Sequence, residues 1–192
     1  QRTPSDCEET IVFTGKMSYH ANVTAAVALV RQIMPQVWEK FPAARLMLVG
    51  KDPTSLVRQL PADDPLATSG QSRVIVTGTV PDVGPYLRQA SVAVAPLAYA
   101  VGIQNKVLEA MASGLPVVVS PVAAAGLEAV DGRHLCVAKS AAETAEAINA
   151  LLADAERRRK LGAAARLFVE NSHTWNATAT RLCGVYEDAL GA

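Results

Sequence analysis

Six short apolar runs recur along the chain, and none of them alternates with polar positions: Ile11 to Gly15, Leu46 to Gly50, Val74 to Gly78, Val92 to Pro96, Pro116 to Ser120 and Leu135 to Val137. A continuously apolar strand is one covered on both faces, which is the environment of a parallel sheet. Between the runs lie amphipathic stretches at 22–40, 54–60, 83–90 and 104–113, and three more follow near 140–153, 154–170 and 175–190. Strand, helix and strand repeated in this order predict an α/β fold, a Rossmann-like open parallel sheet of about six strands with helices on both faces. The segment 61–72, with Pro61, Asp63, Asp64, Pro65, Ser69 and Gly70, reads as a loop too short to link domains. Residues 1–192 are therefore expected to form a single domain. In the last third, Thr174 is placed to cap a final helix opened by Trp175, which reads as a packing anchor.

Composition narrows the function. Half of the 192 residues are apolar, enough for a sizeable core, and 18 Lys and Arg balance 18 Asp and Glu. Zero net charge gives no long-range attraction for nucleic acid or anionic lipid. No run approaches the ~18 apolar residues that cross a bilayer, and the first residues carry no apolar signal core. Cys7, Cys136 and Cys183 are odd in number and far apart, so no disulfide framework is expected and a reducing cytoplasm fits. There is no D-x-D, no H-E-x-x-H and no Cys/His cluster, so no metal ligand set is visible. G-x-G-x-x-G and G-x-S-x-G are missing too, and Thr10 stands where a P-loop ending in Gly15-Lys16 would need glycine.

In an open parallel sheet, ligands bind beyond the carboxyl ends of the strands, where Gly15, Gly50, Gly78 and the loop after Pro96 all fall. Any one of these glycines can be a mere turn residue; Gly15 stands out because Lys16 follows it. The segment from Pro96 to Val118 is the most informative. A strand enters a turn at Gly102, a helix begins, and Gly114 ends it before the next strand. The amides at 103–106, the positive end of the helix dipole and the Lys106 ammonium together suit a diphosphate. Glu109 lies one turn, ~5–6 Å, below that position on the same face, where its carboxylate can accept two ribose hydroxyls. The competing reading makes Lys106 and Glu109 a surface i,i+3 pair. Gly102 favours the anion site, because an ordinary helix start more often carries Ser, Thr or Asp. His20, His134 and His173 are isolated. The run Arg157-Arg158-Arg159-Lys160 could face anionic lipid, but flanked by Asp154 and Glu156 it reads as a solvated helix face.

Gly102-x-x-Asn105-Lys106-Val107-Leu108-Glu109-Ala110-Met111-Ala112-Ser113-Gly114-Leu115-Pro116 resembles the donor-site helix of GT-B glycosyltransferases in the family 4 group of retaining enzymes. Further matches keep the family's order: Gly15-Lys16, Asn22-Val23, Phe41-Pro42 through Leu48-Val49-Gly50, Val76-Thr77-Gly78-Thr79-Val80, Tyr86-Leu87 and Thr174-Trp175. The resemblance covers about residues 10–190 and implies the C-terminal, donor-binding half of a GT-B enzyme, with the N-terminal acceptor domain absent from this sequence. It implies a hexosyltransferase, retaining and metal-independent, without a cofactor, working in polysaccharide biosynthesis on the cytoplasmic side with peripheral membrane contact allowed. The donor would be a UDP- or GDP-sugar, and the acceptor a glycan, lipid or other molecule; this half alone is expected to be inactive. Carried over residue by residue, the catalytic positions are Lys16, Lys106 and Glu109. The donor is held by Gly15, Lys16, His20, Val80, Gly102, Ile103, Gln104, Asn105, Lys106, Val107 and Glu109, with backbone near Val80 meeting the base. Two departures stand out. Val101 occupies the place of the family's first glutamate, and the second basic residue after the first strand is missing, with His20 or Lys106 as substitutes. A nucleotide-sugar 2-epimerase and a non-catalytic nucleotide-sugar-binding domain are the alternative readings.

Overall fold

The computed structural model describes residues 9–174, 179, 182–186 and 189. Cys7 and most of the expected final helix, with Trp175, lie outside the described residues. Six parallel strands form one sheet: β1 (Thr10–Thr14), β2 (Arg45–Val49), β3 (Val74–Gly78), β4 (Val92–Ala95), β5 (Val117–Val119) and β6 (Cys136–Val137), in the order β3-β2-β1-β4-β5-β6. The Rossmann-like sheet of six strands is thus as expected. Chain direction across the sheet reverses between β1 and β4, and the crevice outside their carboxyl ends is where such sheets take ligands.

Among the described residues, the helices α1 (His20–Ala28), α2 (Met34–Trp38), α3 (Ser55–Gln59), α4 (Gly84–Gln89), α5 (Asn105–Ala112), α6 (Pro121–Ala124), α7 (Ala141–Ala153) and α8 (Ala155–Ser172) connect and cover the strands. Helix α7 packs on β4, β5 and the α1–α2 segment, whereas α5 packs on β4, β5 and α8, and α4 on β1. Covered in this way, β1, β4 and β5 are buried at every residue, and Ile11, Phe13, Leu46, Leu48, Met111 and Leu115 form the centre of the core. Strand β3 has the same apolar sequence but is an edge strand, so all but Val74 is half-exposed.

Three features depart from the sequence expectation. The first helix is interrupted at Leu29–Ile33 by a π-helical turn, in which the Met34 N–H reaches the Leu29 carbonyl. Pro35, which follows, has no N–H to offer the preceding turn and its ring crowds it, so the wider turn relieves the conflict. Helix α6 is a single turn started by Pro121, too short for a periodicity signal. The loop at 61–72 contains 3-10 turns at Leu60–Asp63 and Ala67–Ser69. Asp64, whose side chain is fully buried, pins it by accepting from the Leu66 N–H at 3.0 Å, the Arg73 N–H at 2.5 Å and the Arg73 guanidinium at 2.6 Å. That guanidinium also lies 3.9 Å over the Trp38 ring and donates to the Pro42 carbonyl at 2.9 Å.

Candidate functional site

Three segments converge beyond β1 and β4. The first is the turn after β1, where the Gly15 N–H donates to the Val49 carbonyl at 3.0 Å and Gly15 has φ +154°. A Cβ at Gly15 would stand 2.8 Å from the Asn22 side-chain nitrogen and 3.0 Å from the Lys106 Nζ, so glycine keeps a narrow space open. Lys16, half-exposed, pairs at 3.8 Å with Asp52 in the second segment, the turn after β2. Asp52 is one of two non-glycine residues with positive φ among the described residues, at +55°. A solvent-exposed pair at this distance is weak and readily exchanged for another partner.

The third segment is the start of α5. Gly102 turns the chain at φ +65°, and Gln104, at the N-cap, makes no capping bond; its side-chain amide donates back to the Val101 and Gly102 carbonyls. The Gln104 carbonyl accepts from the Val107 and Leu108 N–H groups, so the Asn105 and Lys106 N–H groups stay outside the helix's own ladder. At the other end the Leu115 N–H reaches the Ala110 carbonyl and the Gly114 N–H the Met111 carbonyl, a Schellman closure with Gly114 at φ +72°. Gly162 of α8 seats against that closure: a Cβ there would meet the Gly114 carbonyl oxygen at 2.1 Å.

Lys106 is the charged centre of the site. Its ammonium donates to the Asn22 side-chain oxygen and lies 4.8 Å from the centre of the buried Phe13 ring. Burial lowers its pKa to about 8, with Glu109 acting in the opposite direction. The ammonium thus turns toward Asn22 and Gly15 rather than into an i,i+3 ion pair with Glu109. Burial raises the Glu109 carboxyl above its ordinary value, and Lys106 opposes the shift. The arrangement presents free amides, the positive helix end, one ammonium held from below and a second, Lys16, on the adjacent turn. An arrangement of this kind suits an anion.

The other expected residues spread around it. His20 bonds to and stacks on Tyr99, ring centres 5.7 Å apart, and so braces the loop before α5. Of the two candidates for the missing basic residue, Lys106 is the one beside Gly15. Ile103 and Asn105 are exposed, Val107 is buried in the core, and Val80 is half-buried where the chain leaves β3. An open cavity of about 380 Å³ lies beyond β2 and β3, lined by Asp52, Arg58, Thr77 and Thr79 among others. Val101 is 91% exposed. The site residue to which the sequence assigns no role is Asn22, which enters there only in the Asn22-Val23 match; an amide among the apolar positions of the first helix is the signal that could have found it. The basic run at the start of α8 is engaged within the fold. Arg158 donates to the Leu151 and Leu152 carbonyls at 2.7 and 2.6 Å, and Arg159 and Lys160 pair with Glu156 at 2.5 and 3.4 Å. No described helix is long and apolar enough to cross a membrane.

The family model described as glycosyl transferases group 1 matches residues 8–154. Among solved structures, sucrose-phosphate synthase from Thermosynechococcus elongatus is 25% identical, with a TM-score of 0.70 over 96% of this chain and 46% of that one. A point mutant of S. aureus TarM, in complex with fondaparinux, alpha-GlcNAc-glycerol and UDP, is 14% identical, with a TM-score of 0.74 over 97% of this chain and 37% of that one. The C-terminal domain of the group 1 glycosyl transferase LpcC from Francisella tularensis is 18% identical, with a TM-score of 0.68 over 86% of both chains. The chain therefore spans less than half of the first two proteins. No curated protein matches the sequence.

Proposed function

This chain belongs to the glycosyl transferases group 1 family, and we propose on that premise that it is the donor-nucleotide domain of a retaining, metal-independent glycosyltransferase. The enzyme would move a hexosyl group from a UDP- or GDP-sugar to a glycan, lipid or other acceptor, in polysaccharide biosynthesis on the cytoplasmic side. The acceptor would bind to a further, N-terminal domain. The observation that carries this reading is the Lys106 ammonium held beside the Gly15 turn at the open N-terminus of α5. The UDP named in the TarM complex is a ligand of the class such a site takes.

The diphosphate would lie across the first turn of α5, accepting from the Asn105 and Lys106 amides. As the sugar departs, negative charge grows on the diphosphate, and Lys106 and Lys16 face that charge. Fixed donors aimed at developing charge are each worth about 3 kcal/mol of barrier. Lys16 would exchange Asp52 for phosphate at little cost, since their pair is exposed. Glu109, one turn further along α5, would accept the ribose hydroxyls, and the backbone at Val80 would meet the base. Titration of Lys106→Ala with a nucleoside diphosphate and with the matching nucleoside tests the assignment: the diphosphate should lose far more affinity, and equal losses would overturn it.

Val101 favours a second reading. An exposed valine where the family carries its first glutamate removes a carboxylate from the sugar's side of the site, which suits a domain that binds nucleotide-sugar without turning it over. Turnover that appears in an inert full-length protein only with Val101→Glu would establish that reading.

A further inference from the structure

We propose that Asn22 is a positioning residue, a neutral clamp that holds the Lys106 ammonium against the Gly15 turn and ties it to the segment carrying Lys16. The proposal deepens the donor-site reading and rests on it. Asn22 sits in the first turn of α1, where it is 4% exposed, and both ends of its amide are used. The oxygen accepts from the Lys106 Nζ, across 84 residues of sequence, and the nitrogen donates to the Lys16 carbonyl at 2.9 Å. Gly15 lies under the junction: a Cβ there would approach both the Asn22 nitrogen and the Lys106 nitrogen. One buried amide thus joins β1's turn, α1 and α5 at the point where the two lysine-bearing segments meet.

The choice of an amide has a chemical consequence. A carboxylate in this place would grip the ammonium more tightly but cancel the charge a diphosphate needs. An apolar side chain would leave a partly buried ammonium without its acceptor, a costly state. The amide oxygen fixes the ammonium's position and leaves its full charge available on the open side. Lys106 also lies over the Phe13 ring, has Glu109 on its own helix and faces Gly15 across the turn.

The test uses Asn22→Asp, nearly isosteric, together with Asn22→Ala, Lys106→Ala and the double variant Asn22→Ala/Lys106→Ala. Titration of the Lys106 side chain by NMR needs no ligand. A carboxylate in contact raises its midpoint by at least about one pH unit in Asn22→Asp, and an unchanged midpoint overturns the clamp. UDP, GDP and ADP are then titrated calorimetrically at pH 7. Against the nucleotide that binds, Asn22→Asp and Asn22→Ala each lose about tenfold in affinity, the matching nucleoside is unaffected, and Asn22→Ala costs nothing further once Lys106 is alanine. A tenfold loss that persists in the Lys106→Ala background shows that Asn22 acts by another route and overturns the proposal. Binding lost in Lys106→Ala but intact in Asn22→Ala overturns the role of Asn22 alone. Failure of the unaltered chain to bind any of the three overturns the donor-site reading, and the clamp's function with it.

Discussion

The carbonyl oxygen of Gly15 lies 1.8 Å from where a Cβ on Gly50 would stand. The turns after β1 and β2 are therefore in backbone contact, and a glycine at 50 is what lets the Gly15–Lys16 turn settle beside the start of α5. Gly50 also has φ +147°, a conformation that side chains rarely adopt. Gly50→Ala is expected to destabilise the chain by more than ~2 kcal/mol, read from urea unfolding, and to weaken nucleoside diphosphate binding by displacing Lys16.

Lys106 is expected to make diphosphate binding depend on pH. With a pKa of about 8 it is charged at pH 7 and loses its proton as the pH rises through 8. Diphosphate affinity should therefore fall above pH 8 toward that of Lys106→Ala, while nucleoside affinity stays level. Isothermal titration at pH 7, 8 and 9 measures both.

The same shift has a cost in stability. The folded chain holds this proton less tightly than the unfolded chain, whose lysine keeps its ordinary value of 10.5. The penalty is complete below pH 8 and disappears as the pH rises from 8 to 10.5; its size is about 3 kcal/mol. Lys106→Met should thus be more stable than the unaltered chain at pH 7, with the gap closing by pH 10.5, and should bind diphosphate more weakly, as Lys106→Ala does. Thermal melts of the two chains across that range show the convergence.

Much of this was legible in the sequence because each strand is a short apolar run and each connection a helix of the right period. All six strands agree with their runs to within a residue or two, and α5 with its glycine turns was visible as a unit. What escaped depended on packing between distant segments. The π-helical turn before Pro35 and the one-turn α6 leave no periodic signature, and the buried tie between Asp64 and Arg73 sits inside what reads as loop. In the site, the choice between His20 and Lys106 required knowing that His20 meets Tyr99 and Lys106 meets Asn22, contacts between residues 79 and 84 positions apart.

The Asp64–Arg73 tie predicts a defect away from the site. Removing the guanidinium strands a buried carboxylate, so Arg73→Ala should lower stability by about 3–5 kcal/mol in chemical denaturation. Burial pushes Asp64 up, but the Arg73 side-chain and backbone hydrogen bonds outweigh it and hold the carboxyl below its ordinary 3.8. The folded state therefore favours the ionised form. This stabilisation is present above pH 3.8 and is lost as the pH falls through the lower folded value, and Arg73→Ala, which keeps the backbone donors but removes the guanidinium, should diminish that acid-dependent component.

The central claim is that this chain holds a nucleoside diphosphate at the start of α5. Calorimetric titration with UDP, GDP and ADP, with and without EDTA, tests it most directly. Saturable binding of one of them, unchanged by EDTA and weakened at least about tenfold in Lys106→Ala and in Glu109→Ala, is the expected result. Absence of binding by all three, or binding indifferent to both substitutions, would contradict it.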